Sequence, residues 1–234
     1  ERIRFTHAFV KYEGGQLPDG YDGKMIAINP LQRYVQLSRF ERNGSTFRVV
    51  DEKRIMETGD HWFRPVDITT GPDGAVYIVD WYDSRLSHVD PRDTWSKTNG
   101  RIYRIGGIHK TSNKLFDISK LSGEELVKML SHENRWFRQQ AIRILGDRRD
   151  ASLVPALKSL LQTGSDQEAL VALWAINISV GLSEPDLSTA LGHKNAFVRL
   201  WAVRLAGEKS KISAELAKEL AVLAGSEQHA EVRS

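Results

Sequence analysis

The sequence repeats itself after residue 120, and that repetition restricts the fold more than any other feature of the chain. The run Trp136-Phe137-Arg138-Gln139-Gln140-Ala141-Ile142-Arg143-Ile144-Leu145-Gly146 has a counterpart in Ala196-Phe197-Val198-Arg199-Leu200-Trp201-Ala202-Val203-Arg204-Leu205-Ala206-Gly207. A third copy lies between them at residues 167–177. Aligned on Ala141, Ala172 and Ala202, the spacings are 31 and 30 residues. Each copy follows another amphipathic segment, at residues 123–132, 154–162 and 186–192. A helix pair that cannot bury its apolar face alone must stack on its neighbours, so pairs at this period predict an α-solenoid. The recurring alanine permits close helix approach, and Gly146, Asn177 and Gly207 at the ends of the copies read as C-terminal caps. A further helix at 214–224, followed by Glu231-Val232-Arg233, brings the count to about three and a half repeats. The solenoid therefore reads as cut in mid-repeat.

Residues 1–120 are built from different material. They hold 5 Leu and 3 Ala but 11 of the 18 Gly and 5 of the 7 Pro, against 18 Leu and 15 Ala in residues 121–234. Glycine and proline break a chain into strands and turns, whereas leucine and alanine favour helix. The expected organisation is a strand-rich part at 1–106, a polar linker at 107–120 and a helical part at 121–234. Short apolar runs, several alternating with polar residues, place strands at 2–10, 24–28, 33–40, 46–50, 66–69, 75–81 and 101–105. Asn43-Gly44 and Gly71-Pro72-Asp73-Gly74 supply tight turns. Strands this short at this spacing suggest a propeller or a sandwich.

Several function classes drop out. With 33 Lys+Arg against 30 Asp+Glu the net charge is +3, too mild to argue for nucleic acid. No apolar run approaches the ~20 residues of a transmembrane helix. With no cysteine, disulfides, thiolate zinc sites, cysteine nucleophiles and covalent haem attachment are excluded. No two histidines lie within four residues of each other, so no local metal-ligand pair is present. The chain starts at Glu1 without a signal-like segment, which reads as a processed or excised piece.

Three motifs in order carry a resemblance: Phe63-Arg64-Pro65-Val66-Asp67, then Gly71-Pro72-Asp73-Gly74-Ala75-Val76-Tyr77-Ile78-Val79-Asp80-Trp81-Tyr82, then Gly100-Arg101-Ile102-Tyr103-Arg104-Ile105. Together they resemble the end of a glucose/sorbosone dehydrogenase-type β-propeller. With the segment from Gly14-Gly15-Gln16-Leu17-Pro18 through Lys24, the chain is similar to the large membrane-bound dehydrogenase-like proteins of planctomycetes, verrucomicrobia and related bacteria. In those, a propeller precedes HEAT-like repeats and often a cytochrome c domain. The resemblance covers roughly residues 1–106 as propeller and 121–234 as HEAT-like helices. It implies an α+β multidomain chain: a partial β-propeller of about two blades followed by an α-solenoid of HEAT-like helix pairs. It also implies an exported, periplasmic quinoprotein-like dehydrogenase that oxidises sugars or alcohols with pyrroloquinoline quinone and calcium. The solenoid would dock a protein, such as an electron-accepting cytochrome c.

Arg64 is the cofactor-binding candidate. In the quinoprotein relatives an arginine at the start of this strand holds the acidic quinone, and a planar guanidinium suits carboxylates. The plain alternative is packing between blades or an ion pair with Asp67. His61 is the candidate catalytic base, positioned to take a hydroxyl proton as hydride leaves the same carbon; otherwise it is an exposed loop histidine beside Trp62. Trp62, Asp83 and His88 are candidates to face the substrate channel. Asp80, Asp83, His88, Asp90 and Asp93 form an acidic run that could supply oxygen ligands, but it lacks the EF-hand pattern and reads rather as turn caps and solvated charge. Relatives place a lysine near the strand written here as Leu31-Gln32-Arg33-Tyr34, where this chain has Gln32 with Arg33 beside it. Arg138, Arg199 and Arg233 recur at equivalent solenoid positions, near Trp136, Trp174 and Trp201; packing between repeats explains recurrence at a structural period. The alternative to an enzyme is a non-catalytic scaffold that binds proteins or carbohydrate.

Overall fold

The computed structural model describes residues 8–85, 91–108 and 116–233. The chain divides into two compact units, one within residues 1–115 together with Glu133–Trp136, the other formed by Phe116–His132 and Phe137–Ser234.

The first unit holds two antiparallel sheets. One runs in the order β1 (Phe9–Lys11), β2 (Met25–Asn29), β3 (Tyr34–Asn43), β4 (Thr46–Glu57). The other runs β5 (Pro65–Thr70), β6 (Val76–Asp80), β7 (Arg101–Ile105). Residues 2–7 of the first expected strand lie outside the described residues. β2, Met-Ile-Ala-Ile-Asn, is buried throughout, which is why it reads as an apolar run without alternation. β4 extends seven residues past the expected 46–50. Its Asp51-Glu52-Lys53-Arg54 stretch hides the strand pattern, and the same charges shield an open sheet edge from further pairing.

Both sheets contribute to one core. Ile26, Ile28, Val35 and Leu37 of the first pack in one cluster with Ile68, Val76 and Ile78 of the second, around Tyr12 and Leu17. Truncating one of these fully buried side chains to alanine costs about 2–5 kcal/mol. The expected two blades thus appear as two antiparallel sheets. A propeller, which closes with about four to eight of them, is not seen in the described residues.

The second unit is helical. Its elements are α1 (Gly123–Met129), α2 (Arg135–Arg148), α3 (Val154–Thr163), α4 (Asp166–Val180), α5 (Glu184–Leu191), α6 (Ala196–Gly207), α7 (Ala214–Ser226) and α8 (Ala230–Arg233). Ser122 with Glu125, Ser165 with Glu168 and Ser183 with Asp186 form capping boxes, so local chemistry starts three of these helices. Ala141, Ala172 and Ala202 are all fully buried, where the second helices of successive pairs pack. The expected glycine and asparagine caps need correction. Gly146 and Asn177 lie inside their helices, and Gly207 is the last residue of α6, with Glu208 at the cap. A Cβ on Gly146 would sit 2.8 Å from Ile178 Cγ1, so this glycine serves close approach of α2 and α4. Among the described helices only α4 is followed by a glycine of positive φ, Gly181 at φ 81° and ψ 152°.

Candidate functional site

Antiparallel pairing brings the start of β5, the end of β6 and the start of β7 to one end of the second sheet, since Pro65 pairs with Asp80 and Asp80 with Arg101. Phe63 anchors this end: it is 1% exposed and its ring meets Tyr103 edge-on at 5.6 Å. Arg64 follows directly. Its backbone N–H donates to Asp80 Oδ1 at 2.7 Å, and its carbonyl accepts from Trp81 N at 2.9 Å.

Arg64 is 6% exposed, yet its guanidinium forms no ion pair among the described residues. Nη1 donates to the Phe63 carbonyl at 2.8 Å, and the buried Nε has no partner. Burial lowers its pKa first, and the like charge of Arg33 lowers it further, against the attraction of Asp80, Asp83 and Asp60. The ion pair with Asp67, one of the plain alternatives, is not found among the described residues; Asp67 Oδ1 accepts from Ile68 N instead. Arg33 stands in the β2–β3 turn with a left-handed φ of 61°, and its Nε is also buried without a partner. That backbone is held from both sides, with Arg33 N donating to the Asn29 carbonyl at 2.8 Å and its own carbonyl accepting from Thr58 N at 3.3 Å. Gln32 is exposed, so the basic residue of this turn is Arg33.

Asp80 completes the cluster. It is 2% exposed; Oδ1 accepts from the N–H of Arg64 and Tyr82, while Oδ2 is buried and unpartnered. Tyr82 is left-handed at φ 51°, lies 5.7 Å from the half-exposed Trp62 ring and carries the Arg101 guanidinium 3.8 Å over its own ring. Burial raises the pKa of Tyr103, with Asp80 adding to it. The end of this sheet and the nearby β2–β3 turn therefore offer two buried, unsatisfied guanidinium N–H groups and an unused carboxylate oxygen. An anionic group would satisfy the two donors.

The other expected residues fall as follows. His61 is exposed and makes no hydrogen bond among the described residues. Trp62 is 42% exposed, with its N–H on Asp60 Oδ1. Asp83 is 1% exposed and fully used: Oδ1 accepts from Arg85 N at 2.8 Å and Oδ2 from Ser96 N at 2.6 Å. It ties together the loop between β6 and β7. Asp93 pairs with Lys97. His88 and Asp90 lie outside the described residues. Sequence reading missed Tyr82, Arg101 and Tyr103 as members of the cluster; Arg101 and Tyr103 at i, i+2 on one face of β7 were the available signal.

In the second unit two of the three recurring arginines, Arg138 and Arg199, share a backbone role. Arg138 Nη1 donates to the His132 carbonyl at 2.7 Å, and Arg199 Nη1 to the His193 carbonyl at 2.8 Å, six residues back in each case. Trp174 and Trp201 meet edge-on at 5.0 Å. His193 caps locally, accepting from Asn195 N at Nδ1 and pairing with the Leu161 carbonyl through Nε2.

Residues 4–109 match a family described as a domain of unknown function, DUF7133, and residues 123–177 match HEAT repeats. No curated protein and no solved structure matches the chain.

Proposed function

We propose that the first unit belongs to a dehydrogenase-like β-propeller and holds an acidic ligand on Arg64 and Arg33, while the second unit docks a protein. The observation that carries this reading is the buried Arg64 guanidinium, ion-paired with no carboxylate among the described residues and set near a second cation. A desolvated cation beside a like charge is costly unless something anionic completes it. HEAT repeats at 123–177 are consistent with a protein-interaction module, and a cytochrome c is the docked partner that the resemblance suggests.

Pyrroloquinoline quinone fits the donor set, since its carboxylates match two guanidinium groups with unused N–H. When bound, the quinone would supply the oxidising power for sugars or alcohols. The chain's own contributions are binding by Arg64 and Arg33, a half-exposed Trp62 beside them, and His61 as the group that takes a hydroxyl proton. For calcium, the described part of the acidic run offers only Asp80 Oδ2 unused, since Asp83 spends both oxygens on backbone N–H groups and Asp80 spends Oδ1 twice. A periplasmic setting belongs to the same proposal.

A non-catalytic scaffold is the second reading, favoured by the exposed His61, which no hydrogen bond among the described residues orients for proton transfer. Titration of the chain with pyrroloquinoline quinone tests both readings. Binding that weakens at least about tenfold in Arg64→Met supports the acidic-ligand site; no binding by the unaltered chain overturns it. Bound quinone that reduces no dye with any sugar or alcohol, calcium present, selects the scaffold.

A further inference from the structure

The ribbon of β3 and β4 runs past the rest of its sheet. β2 pairs with β3 no further than Ser38, and no residue of β3 beyond Ser38 is buried, so residues 39–43 and 46–50 stand out as a two-stranded arm. The arm has two unlike faces. Phe40, Phe47 and Val49 share one: Phe40 pairs with Val49, and the two phenylalanine rings meet edge-on at 6.0 Å, yet the three residues are 37%, 51% and 41% exposed. Arg39, Glu41 and Arg48 share the other face and are joined in ion pairs.

β4 is also the edge of its sheet, and among the described residues only β3 pairs with it. Along residues 51–57 that edge is guarded by the charges of Asp51, Glu52, Lys53 and Arg54, and by register shifts that leave Glu52 and Ile55 without a pairing partner on β3. Residues 46–50 carry neither guard. The turn of Gly44 and Ser45 makes Asn43 and Thr46 a hydrogen-bonded pair. Bonding alternates along an antiparallel ladder, so Arg48 and Val50 also bond inward to β3, while the N–H and C=O of Phe47 and Val49 point outward. An unguarded row of backbone groups beside apolar side chains is a template for another strand. A sheet stacked on the apolar face would leave those groups unpaired.

The strand that fits is β4 itself. We propose that a second copy of the chain pairs with this edge, β4 antiparallel to β4, about a two-fold axis at Arg48. Phe47 of each copy then lies opposite Val49 of the other, in a hydrogen-bonded pair that uses every outward N–H and C=O of the two residues. The apolar faces of the two arms join into one strip. Sliding one strand by two residues sets Phe47 against Asp51 or Val49 against Ser45, so side-chain type selects the register. The two Arg48 side chains meet at the axis, each already bonded through Nε to Glu41 at 3.0 Å, so no bare like charges are opposed. Pairing about a two-fold axis closes at two copies. The interface is small, which sets dimerisation on the order of 100 μM. It is independent of any ligand at Arg64.

Sedimentation velocity between about 10 μM and 1 mM, with amide exchange measured at both ends of that range, tests this. Monomer is expected to give way to dimer as concentration rises. The Phe47 and Val49 N–H groups should exchange freely in the monomer and be protected in the dimer, while the Arg48 N–H is protected in both. Val49→Pro removes an outward donor and nothing from the ladder with β3, and should weaken dimerisation at least about tenfold. Unfolding of each variant is followed alongside. Phe47→Lys, at a half-exposed position, serves should the proline variant fail to fold. A chain still monomeric at about 1 mM overturns the proposal, as does a dimer that both substitutions leave intact or one whose Phe47 and Val49 N–H groups exchange freely. Growth to larger species would overturn it too, since two-fold pairing leaves no open end.

Discussion

The Tyr12 hydroxyl donates to the Gly74 carbonyl at 2.7 Å while accepting from the backbone N–H of Gln16 and Leu17, at 2.8 Å each. One fully buried phenol therefore satisfies three backbone groups from two segments 62 residues apart. Burial raises its pKa, so the group stays neutral. Tyr12→Phe is expected to destabilise the first unit by about 3 kcal/mol, because buried polar groups are left without partners. Urea denaturation checks this, and a loss below about 0.5 kcal/mol would mean that water replaces the hydroxyl.

Gly74 itself tolerates no side chain. Its φ is 77°, and a Cβ there would lie 2.2 Å from the Gly14 carbonyl oxygen. Gly44 has a similar φ of 61° but open space around it. Gly44→Ala should cost about 1–2 kcal/mol from backbone strain alone, whereas Gly74→Ala should prevent the first unit from folding. Equal losses in the two variants, measured by thermal unfolding, would sink the steric account.

Arg64→Met is expected to leave stability unchanged or raise it by up to about 2 kcal/mol in the absence of ligand, since it removes a desolvated cation that hydrogen-bonds none of the carboxylates near it among the described residues. A loss of more than about 1 kcal/mol would instead mean that the arginine stem is a packing element.

Glu227 carries the clearest pH signal. Two hydrogen bonds from Arg199, at 2.6 and 2.9 Å, together with the His229 N–H, hold its carboxyl down to about 2. A depressed folded pKa contributes stability that is present above the ordinary glutamate range near about 4.3 and is lost as pH falls toward the folded value. Helix unfolding followed by circular dichroism should show that loss between about pH 4.5 and pH 2. Glu227→Gln should flatten the profile and cost about 2 kcal/mol at neutral pH. An unchanged profile in the variant would assign the acid sensitivity elsewhere.

Particular residues show how far the sequence could be read. The solenoid was legible because its signals are local and repeated: the alanines at 141, 172 and 202, each preceded by an amphipathic segment. The strands were legible wherever apolar runs met turn residues. β4 was not legible beyond Val50, since an edge strand with charges on both faces has no apolar period to read. Gly146 looked like a cap because glycine in sequence cannot distinguish a left-handed turn from a close helix approach.

The candidate site divides along the same line. Sequence alone determined Arg64 as the residue to watch, its neighbours His61 and Trp62, and the acidic run after β6. Only the tertiary structure decided that Arg33 stands near Arg64, that Asp83 is consumed by its own loop, and that Asp80 keeps one oxygen unused. The reason is physical. Residue type and spacing set what a short segment can form by itself. Whether a buried charge finds a partner depends on which distant segments the sheets bring to the same end, and local pattern carries no record of that.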